Sequence, residues 1–177
     1  QAMYDLYAEH IEPYWVALPI HLRNAVSMHR PHWVCWDPDA REQWVREPPE
    51  IAITDAQRFS FYRHAMEFEE FVPSFGHWYG GGQLTACFVG IRADESLNRY
   101  RTLAARKQSF KGRQYTTWIG KGVFNIYPIY DWRSEDIWTY SGKFGKPYNQ
   151  LYDRMHKAGL SIHQMRICQP YGDDQRK

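Results

Sequence analysis

The sequence predicts an α/β chain with a mostly parallel sheet flanked by helices, and three observations carry that prediction. Residues 84–91 are almost continuously apolar, as strands buried on both faces are. A polar loop follows, and then Leu97, Tyr100 and Ala104 at helical spacing. Two more β-rich runs, 116–119 and 123–129, precede a helix that starts near Ser134, so strands alternate with helices.

Taken from the beginning, residues 3–10 form a helix that ends before Pro13. Residues 14–18 are apolar and rich in β-formers, and read as a buried strand closed by Pro19. Residues 30–50 carry Pro31, Trp33, Trp36, Pro38, Trp44, Pro48 and Pro49, a proline density that argues for a long excursion without regular structure, held by its tryptophans. A helix is expected over 57–73, ending before Pro73. Gly80-Gly81-Gly82 lacks the following Lys-Ser/Thr of a phosphate loop and precedes a strand, so it reads as a turn. Ser134 caps the helix after 131, with Glu135 and Asp136 in its positive first turn. A last helix covers 149–157 and stops at Gly159. No repeat is present, and the whole chain is expected to be one domain.

Composition narrows the class. Aromatic residues make up 17% of the chain, and that many rings require a core. No apolar run is long enough to span a membrane, and no signal peptide is visible, which points to the cytoplasm. Cys35, Cys87 and Cys168 form no C-x-x-C pair and read as free thiols. The eight histidines show no ligand spacing, so no metal is assigned. Residues 1–91 hold 6 Lys/Arg against 12 Asp/Glu, whereas 92–121 hold 8 against 2. That basic block suits an anionic ligand; a solvated helix face is the blander alternative.

Three segments are candidates for chemistry. Residues 90–99 lie where a strand ends and a helix begins, the usual ligand position in open α/β sheets. There Arg92 and Arg99 can aim planar donor forks at an anion beside free helix N–H groups. Gly90 lets a ligand approach the backbone. Asp94 and Glu95 would repel an anion directly on the helix end; they orient the arginines or accept from a ribose hydroxyl. Ser96 supports them. An ordinary surface helix with i,i+4 charge pairs is an equally open reading. Residues 127–132 form a second strand end, where Asp131 and Trp132 shape a base-binding wall or simply a packed corner. Cys168 beside Arg166 is a candidate nucleophile, with a buried small apolar residue as the commoner alternative.

These segments, in order, resemble the phosphoadenosine-phosphosulfate (PAPS) reductase family. Phe88-Val89-Gly90-Ile91-Arg92-Ala93-Asp94-Glu95-Ser96, with Arg99, is similar to its arginine-bearing strand–loop–helix. Tyr127-Pro128-Ile129-Tyr130-Asp131-Trp132 with Asp136-Ile137-Trp138, and Pro147-Tyr148-Asn149 with Leu151-Tyr152-Asp153 and Gly159-Leu160-Ser161-Ile162, are similar to two later motifs. Trp15-Val16-Ala17-Leu18-Pro19, Trp44-Val45-Arg46, Met66-Glu67-Phe68-Glu69 and the stretch 165–176 resemble a bacterial and phage subgroup named immunoglobulin-binding regulator A or PAPS sulfotransferase.

The resemblance implies an adenine-nucleotide α-hydrolase-like (Rossmann-like) fold with a nucleotide over the strand ends. It implies binding of PAPS, adenylyl sulfate or ATP, and sulfur- or nucleotidyl-transfer chemistry in the full-length form. The family's N-terminal strand and phosphate loop are absent, so that part is expected upstream of Gln1. The family's cysteine-bearing C-terminal segment is also absent, which leaves a thioredoxin-dependent reductase mechanism unsupported and Cys168 the nearest substitute. No cofactor is assigned to this chain. The alternative is a non-catalytic transcriptional co-regulator with a ParB-like protein partner or DNA.

Overall fold

A computed structural model describes residues 2–23, 29, 31–44, 46–104 and 109–165. These fall into two compact units. Of the described residues, one unit holds Tyr7 to Gly82, and the other holds 83–165 together with the first few residues.

The first unit is built around aromatic side chains. Strand β1 (Ile20–Arg23) pairs antiparallel with β2 (His32–Cys35) and parallel with the short β3 (Met66–Glu67). Helix α2 (Phe68–Tyr79) follows the sheet, whereas α1 (Ala2–Tyr7) belongs to the other unit except for its last residue. Ile20, Met66 and Phe71 form the buried centre. Phe59, 2% exposed, is the hub of the ring packing: its ring lies 5.2 Å from Trp78, 5.7 Å from Phe61, 6.0 Å from Phe75 and 6.2 Å from Phe71. Most of these contacts are edge-to-face, the geometry that places one ring's positive rim on another's negative face. The Tyr62 hydroxyl donates to the Pro19 carbonyl at 2.7 Å and closes the cluster against β1.

Several expectations are corrected in this unit. Residues 14–18 are extended, and Ala17 and Leu18 are buried, but they make only a single bridge, between Val16 and Ile53. Prolines 13 and 19 flank the run, and Pro19 has no N–H to extend a ladder. The excursion at 30–50 contains β2 and a 3₁₀ turn over Pro38–Gln43, begun by Asp37, whose carboxylate accepts from the Asp39 amide. Its tryptophans do hold it: Trp44 Nε1 donates to the Asp37 carbonyl at 2.9 Å and the Trp36 and Trp44 rings meet at 5.4 Å. The helix expected over 57–73 instead starts at Phe68 and runs through Pro73 to Tyr79. Pro73 lies early in the helix, where the missing N–H costs one intrahelical bond, and the apolar face it helps bury outweighs that loss. Gly81 and Gly82 follow with positive φ and make the expected turn.

The second unit carries the sheet order β4-β6-β5: β4 is Thr85–Phe88, β5 Thr116–Gly120 and β6 Val123–Ile126. β4 and β6 are parallel and in register from Thr85↔Val123 to Phe88↔Ile126. β5 and β6 form an antiparallel hairpin through Lys121-Gly122, both at positive φ, as a primed two-residue turn requires. The sheets are therefore mixed, one parallel and one antiparallel pair in each, where a mostly parallel sheet was expected. The tight Lys121-Gly122 turn decides this, because two residues cannot make a parallel crossover.

Residues 84–91 were expected to be buried on both faces. β4 is instead an edge strand whose burial alternates, with Leu84 63% and Phe88 71% exposed. Helix α3 (Leu97–Ala104) buries Leu103, and the expected inward residues Leu97 and Tyr100 face solvent. Thr116 is buried with its hydroxyl fully used, donating to the Arg113 carbonyl and accepting from the Phe110 amide. Helices α4 (Ser134–Phe144) and α5 (Leu151–Lys157) complete the unit, α5 ending before Gly159 at φ 84°. No helix is long and apolar enough to cross a membrane among the described residues.

The ring hub gives a direct test. Phe59→Ala is expected to lower unfolding free energy by about 3–5 kcal/mol, the usual cost of removing a buried phenylalanine side chain. Urea denaturation followed by tryptophan fluorescence measures it. A loss under about 1 kcal/mol would show that Phe59 does not organise the cluster.

Candidate functional site

Because β4 and β6 are parallel neighbours, the loops that leave their C-terminal ends emerge side by side. The loop after β4 carries Gly90, Arg92, Asp94, Glu95 and Ser96. The loop after β6 carries Tyr130, Asp131 and Trp132 and ends at the first turn of α4. The Ala93 amide donates to the Tyr130 carbonyl at 2.8 Å and ties the two loops together.

Asp94 is the centre of this junction. Its Oδ2 accepts from both the Ser134 amide and the Ser134 hydroxyl at 3.1 Å. A carboxylate from one loop thus caps a helix that begins 40 residues later. The Arg92 guanidinium, 14% exposed, lies 3.5 Å from Asp94, 3.5 Å from Glu95 and 3.4 Å from the Ser134 hydroxyl. Glu95 also approaches Arg99 at 3.6 Å across one helical turn. The Ser96 hydroxyl accepts from the Arg99 amide at 3.2 Å and so caps α3. A second link joins His163 to Glu135 at 3.6 Å, between the turn after α5 and the start of α4.

The structure brings Arg92, Asp94, Glu95, Ser96 and Arg99 together, but with different exposures. Arg92 is mostly enclosed, whereas Arg99 is 51% exposed at the rim. Gly90 has ordinary negative φ, and a Cβ built there would meet only Ile129 Cδ1, at an unstrained 3.9 Å. The fold alone does not demand glycine at that position. Asp131 is exposed, and Trp132 is half-buried against Tyr140 at 5.5 Å. Cys168 lies outside the described residues. Cys87 and Cys35 are free, and burial raises both thiols above their ordinary pKa. Among the described residues, no cluster of His, Cys, Asp and Glu has metal-binding geometry.

One functional residue was missed. Ser134 was read as the cap of α4; it is the first helical residue, behind Arg133, whose amide donates to Asp136 at 2.7 Å. The role of Ser134 is to offer its amide and hydroxyl to an anion, and Asp94 takes both. The signal available in the sequence was topological. If the strands before Arg92 and before Asp131 are parallel neighbours, an acid in the first loop must face the helix start after the second.

The Asp94 carboxylate is held below its ordinary value of 3.8, chiefly by the Ser134 amide; partial desolvation opposes this, and the Ser134 hydroxyl, Arg92 and His163 add to it. A depressed carboxylate stabilises the fold at all pH above its ordinary value, and that contribution fades as acid titrates it below. Asp94→Ala is expected to cost about 1 kcal/mol at neutral pH, the usual loss for a helix cap. The deficit should shrink once the pH falls below 3.8. Paired urea titrations at both conditions measure it, and a deficit constant with pH would assign the effect to something other than the charge.

Comparison with known proteins fits this geometry. The phosphoadenosine phosphosulfate reductase domain profile matches residues 51–158. The chain is 44% identical over its whole length to the uncharacterized protein YbdN of Escherichia coli, of which it spans 44%. It is 25% identical over 45% of its length to phosphoadenosine 5'-phosphosulfate reductase of Proteus mirabilis, covering 41% of that protein. It is 25% identical over 64% of its length to adenosine 5'-phosphosulfate reductase of Salinibacter ruber, covering 37% of it. The chain thus spans less than half the length of each of these relatives. No solved structure matches. Because that profile covers more than half of the chain, the chain belongs to the phosphoadenosine phosphosulfate reductase domain family.

Proposed function

We propose that this chain supplies the sulfate- or phosphate-facing part of a site for a sulfated adenine nucleotide. In the full-length protein the site would serve sulfur- or nucleotidyl-transfer chemistry. One observation carries the reading: an anionic oxygen already rests on a helix N-terminal amide, a hydroxyl and an enclosed guanidinium. Those are the donors an oxyanion needs. Asp94 holds them in the geometry described, and a ligand oxyanion would share or take over the Arg92 fork and the Ser134 donors. The names of the two reductase relatives point to sulfated adenine nucleotides as the ligand class.

The roles of the individual residues follow from their exposure. Arg92 is the anion anchor, because its enclosure limits competition from water and salt. Arg99, at the rim, steers and adds less. Glu95 bridges the two arginines and keeps both pointed at the loop junction. Gly90 admits the ligand to the backbone. Asp131 and Trp132 bound the far side, and Cys168 is carried forward as a candidate nucleophile.

Calorimetric titration of the full-length polypeptide with PAPS, adenylyl sulfate, ATP and AMP tests this. The sulfated nucleotides are expected to bind more tightly than AMP. Arg92→Ala should weaken them by roughly 1.5–3 kcal/mol, the range for a charge-assisted hydrogen bond, and Arg99→Ala by less. Binding of no nucleotide, or unchanged affinity in Arg92→Ala, would refute the reading.

Gly90→Ala separates function from fold. Its stability should stay within about 0.5 kcal/mol of the parent, because the added methyl meets nothing closer than an ordinary contact. Nucleotide affinity should fall. Equal affinity in the variant would show that no ligand approaches the Gly90 backbone.

A further inference from the structure

The turn that follows α5 brings a histidine to the start of α4. Helix α5 stops at Gly159, which is in the left-handed region at φ 84°, and the Leu160 amide donates back to the Met155 carbonyl at 3.1 Å. The chain then closes on itself. The Gln164 and Met165 amides donate to the Ser161 carbonyl at 2.9 and 3.1 Å, and the Gln164 side-chain carbonyl accepts from the Ser161 amide at 2.9 Å. Both backbone polar groups of Ser161 are thus used within the turn, and His163 lies inside that closed loop. Its Nε2 is 3.6 Å from Glu135 Oε1. Glu135 directly follows Ser134, whose amide and hydroxyl hold Asp94. The charge of His163 also reaches Asp94 and helps to keep that carboxylate ionised.

This placement has a consequence for anion binding, because the first turn of α4 works against its own donors. An oxyanion on the Ser134 amide gains from the helix N-terminus, but Glu135 and Asp136 in the same turn repel it. Asp136 accepts from the Arg133 amide at 2.7 Å. Glu135 is met by His163. When the imidazole is charged, that pair is neutral and the donors face a ligand with less opposition. When it is uncharged, the Glu135 carboxylate stands bare beside the Ser134 donors. Histidine is the side chain whose charge changes between about pH 5 and 8. The His163 side chain is 62% exposed, so water and protons reach it freely. Of the surrounding charges, Glu135 comes from α4, and Asp94 with Arg92 beyond it comes from the loop after β4. The last turn of α5 holds Arg154, His156 and Lys157, and the turn 159–165 has no other charged residue.

We propose that His163 is a further determinant of ligand binding at the Arg92–Ser134 junction: its charged imidazole cancels Glu135 and makes the hold of the site on an anion tighter at acid pH. The proposal rests on the nucleotide reading of that junction and adds its regulation. By linkage, the bound anion strengthens the hold of the histidine on its proton in return.

The test titrates adenylyl sulfate into the full-length polypeptide at about pH 6 and about pH 8, at constant ionic strength. Adenylyl sulfate is the probe because its own charge is constant over that interval, whereas a phosphomonoester titrates near about pH 6. The parent is expected to bind roughly threefold to fivefold more tightly at the lower pH, the effect of one partly exposed charge pair. His163→Gln should bind as the parent does at the higher pH and lose the gain at the lower. His163→Lys, which keeps a positive charge at both, should bind at both as the parent does at the lower pH. Since the side chain is exposed, neither substitution is expected to disturb folding. A parent affinity independent of pH, or a pH dependence that survives in His163→Gln, would overturn the proposal. Both outcomes leave the nucleotide reading standing as long as Arg92→Ala still weakens binding. Binding of adenylyl sulfate at neither pH would overturn the two together.

Discussion

The in-register parallel pairing of β4 with β6 is the constraint on which the rest of the site depends. Two parallel strands side by side must send their following loops out of the same edge. Arg92 and Asp94 follow one strand, and Tyr130 to Ser134 follow the other. Their meeting therefore needs no long-range design beyond the strand register. The Ala93–Tyr130 backbone bond and the Asp94–Ser134 bonds then lock the two loops. A register slip would move Arg92 away from the helix start and turn every β4 side chain to the other face.

Electrostatics at the junction is balanced rather than simply basic. The middle of the sequence carries a clear excess of Lys and Arg, but the enclosed Arg92 lies between two carboxylates. Such a guanidinium is already oriented before any ligand arrives, so little side-chain entropy remains to be lost on binding. The opposing cost is that an incoming anion shares space with Asp94. Attraction to the donors and repulsion from Asp94 both scale with the ligand's charge, so what separates ligands here is how many oxygens they can offer the donor set, more on a sulfate or phosphate than on a carboxylate. On the proposed reading this favours sulfate- and phosphate-bearing nucleotides over simple carboxylates.

Much of this was legible in the residues. The strand–loop–helix at 84–104, the strands at 116 and 123, the helix that starts near Ser134 and the Gly159 stop follow from local patterning, and the structure has all of them. What local pattern could not supply was partnership. Whether an apolar run is central or at an edge depends on which strand lies beside it, and Phe88 shows the difference: apolar, in a strand, and exposed. Periodicity places Leu97, Tyr100 and Ala104 on one face, but the face that α3 buries is set by Leu103. The helix through Pro73 was missed because proline rules describe a local penalty, and aromatic packing of Phe71 and Phe75 outweighs it. Ser134 was seen as a cap, but its partner lay 40 residues earlier, beyond any window of local reading.

The same distinction separates the two openings of the second unit. The Arg92 junction was found from sequence because its residues are contiguous on one loop and match a known motif. The opening bounded by α4 and α5 draws on Trp138, Tyr148, Tyr152 and Asp153, which lie in the two later motifs, but local pattern does not say that they meet. Tyr148 is 49% exposed and meets Trp138 nearly at a right angle. Its edge-to-face contact with Trp138 and its hydroxyl bond to Asp153 tie the chain between α4 and α5 to both helices.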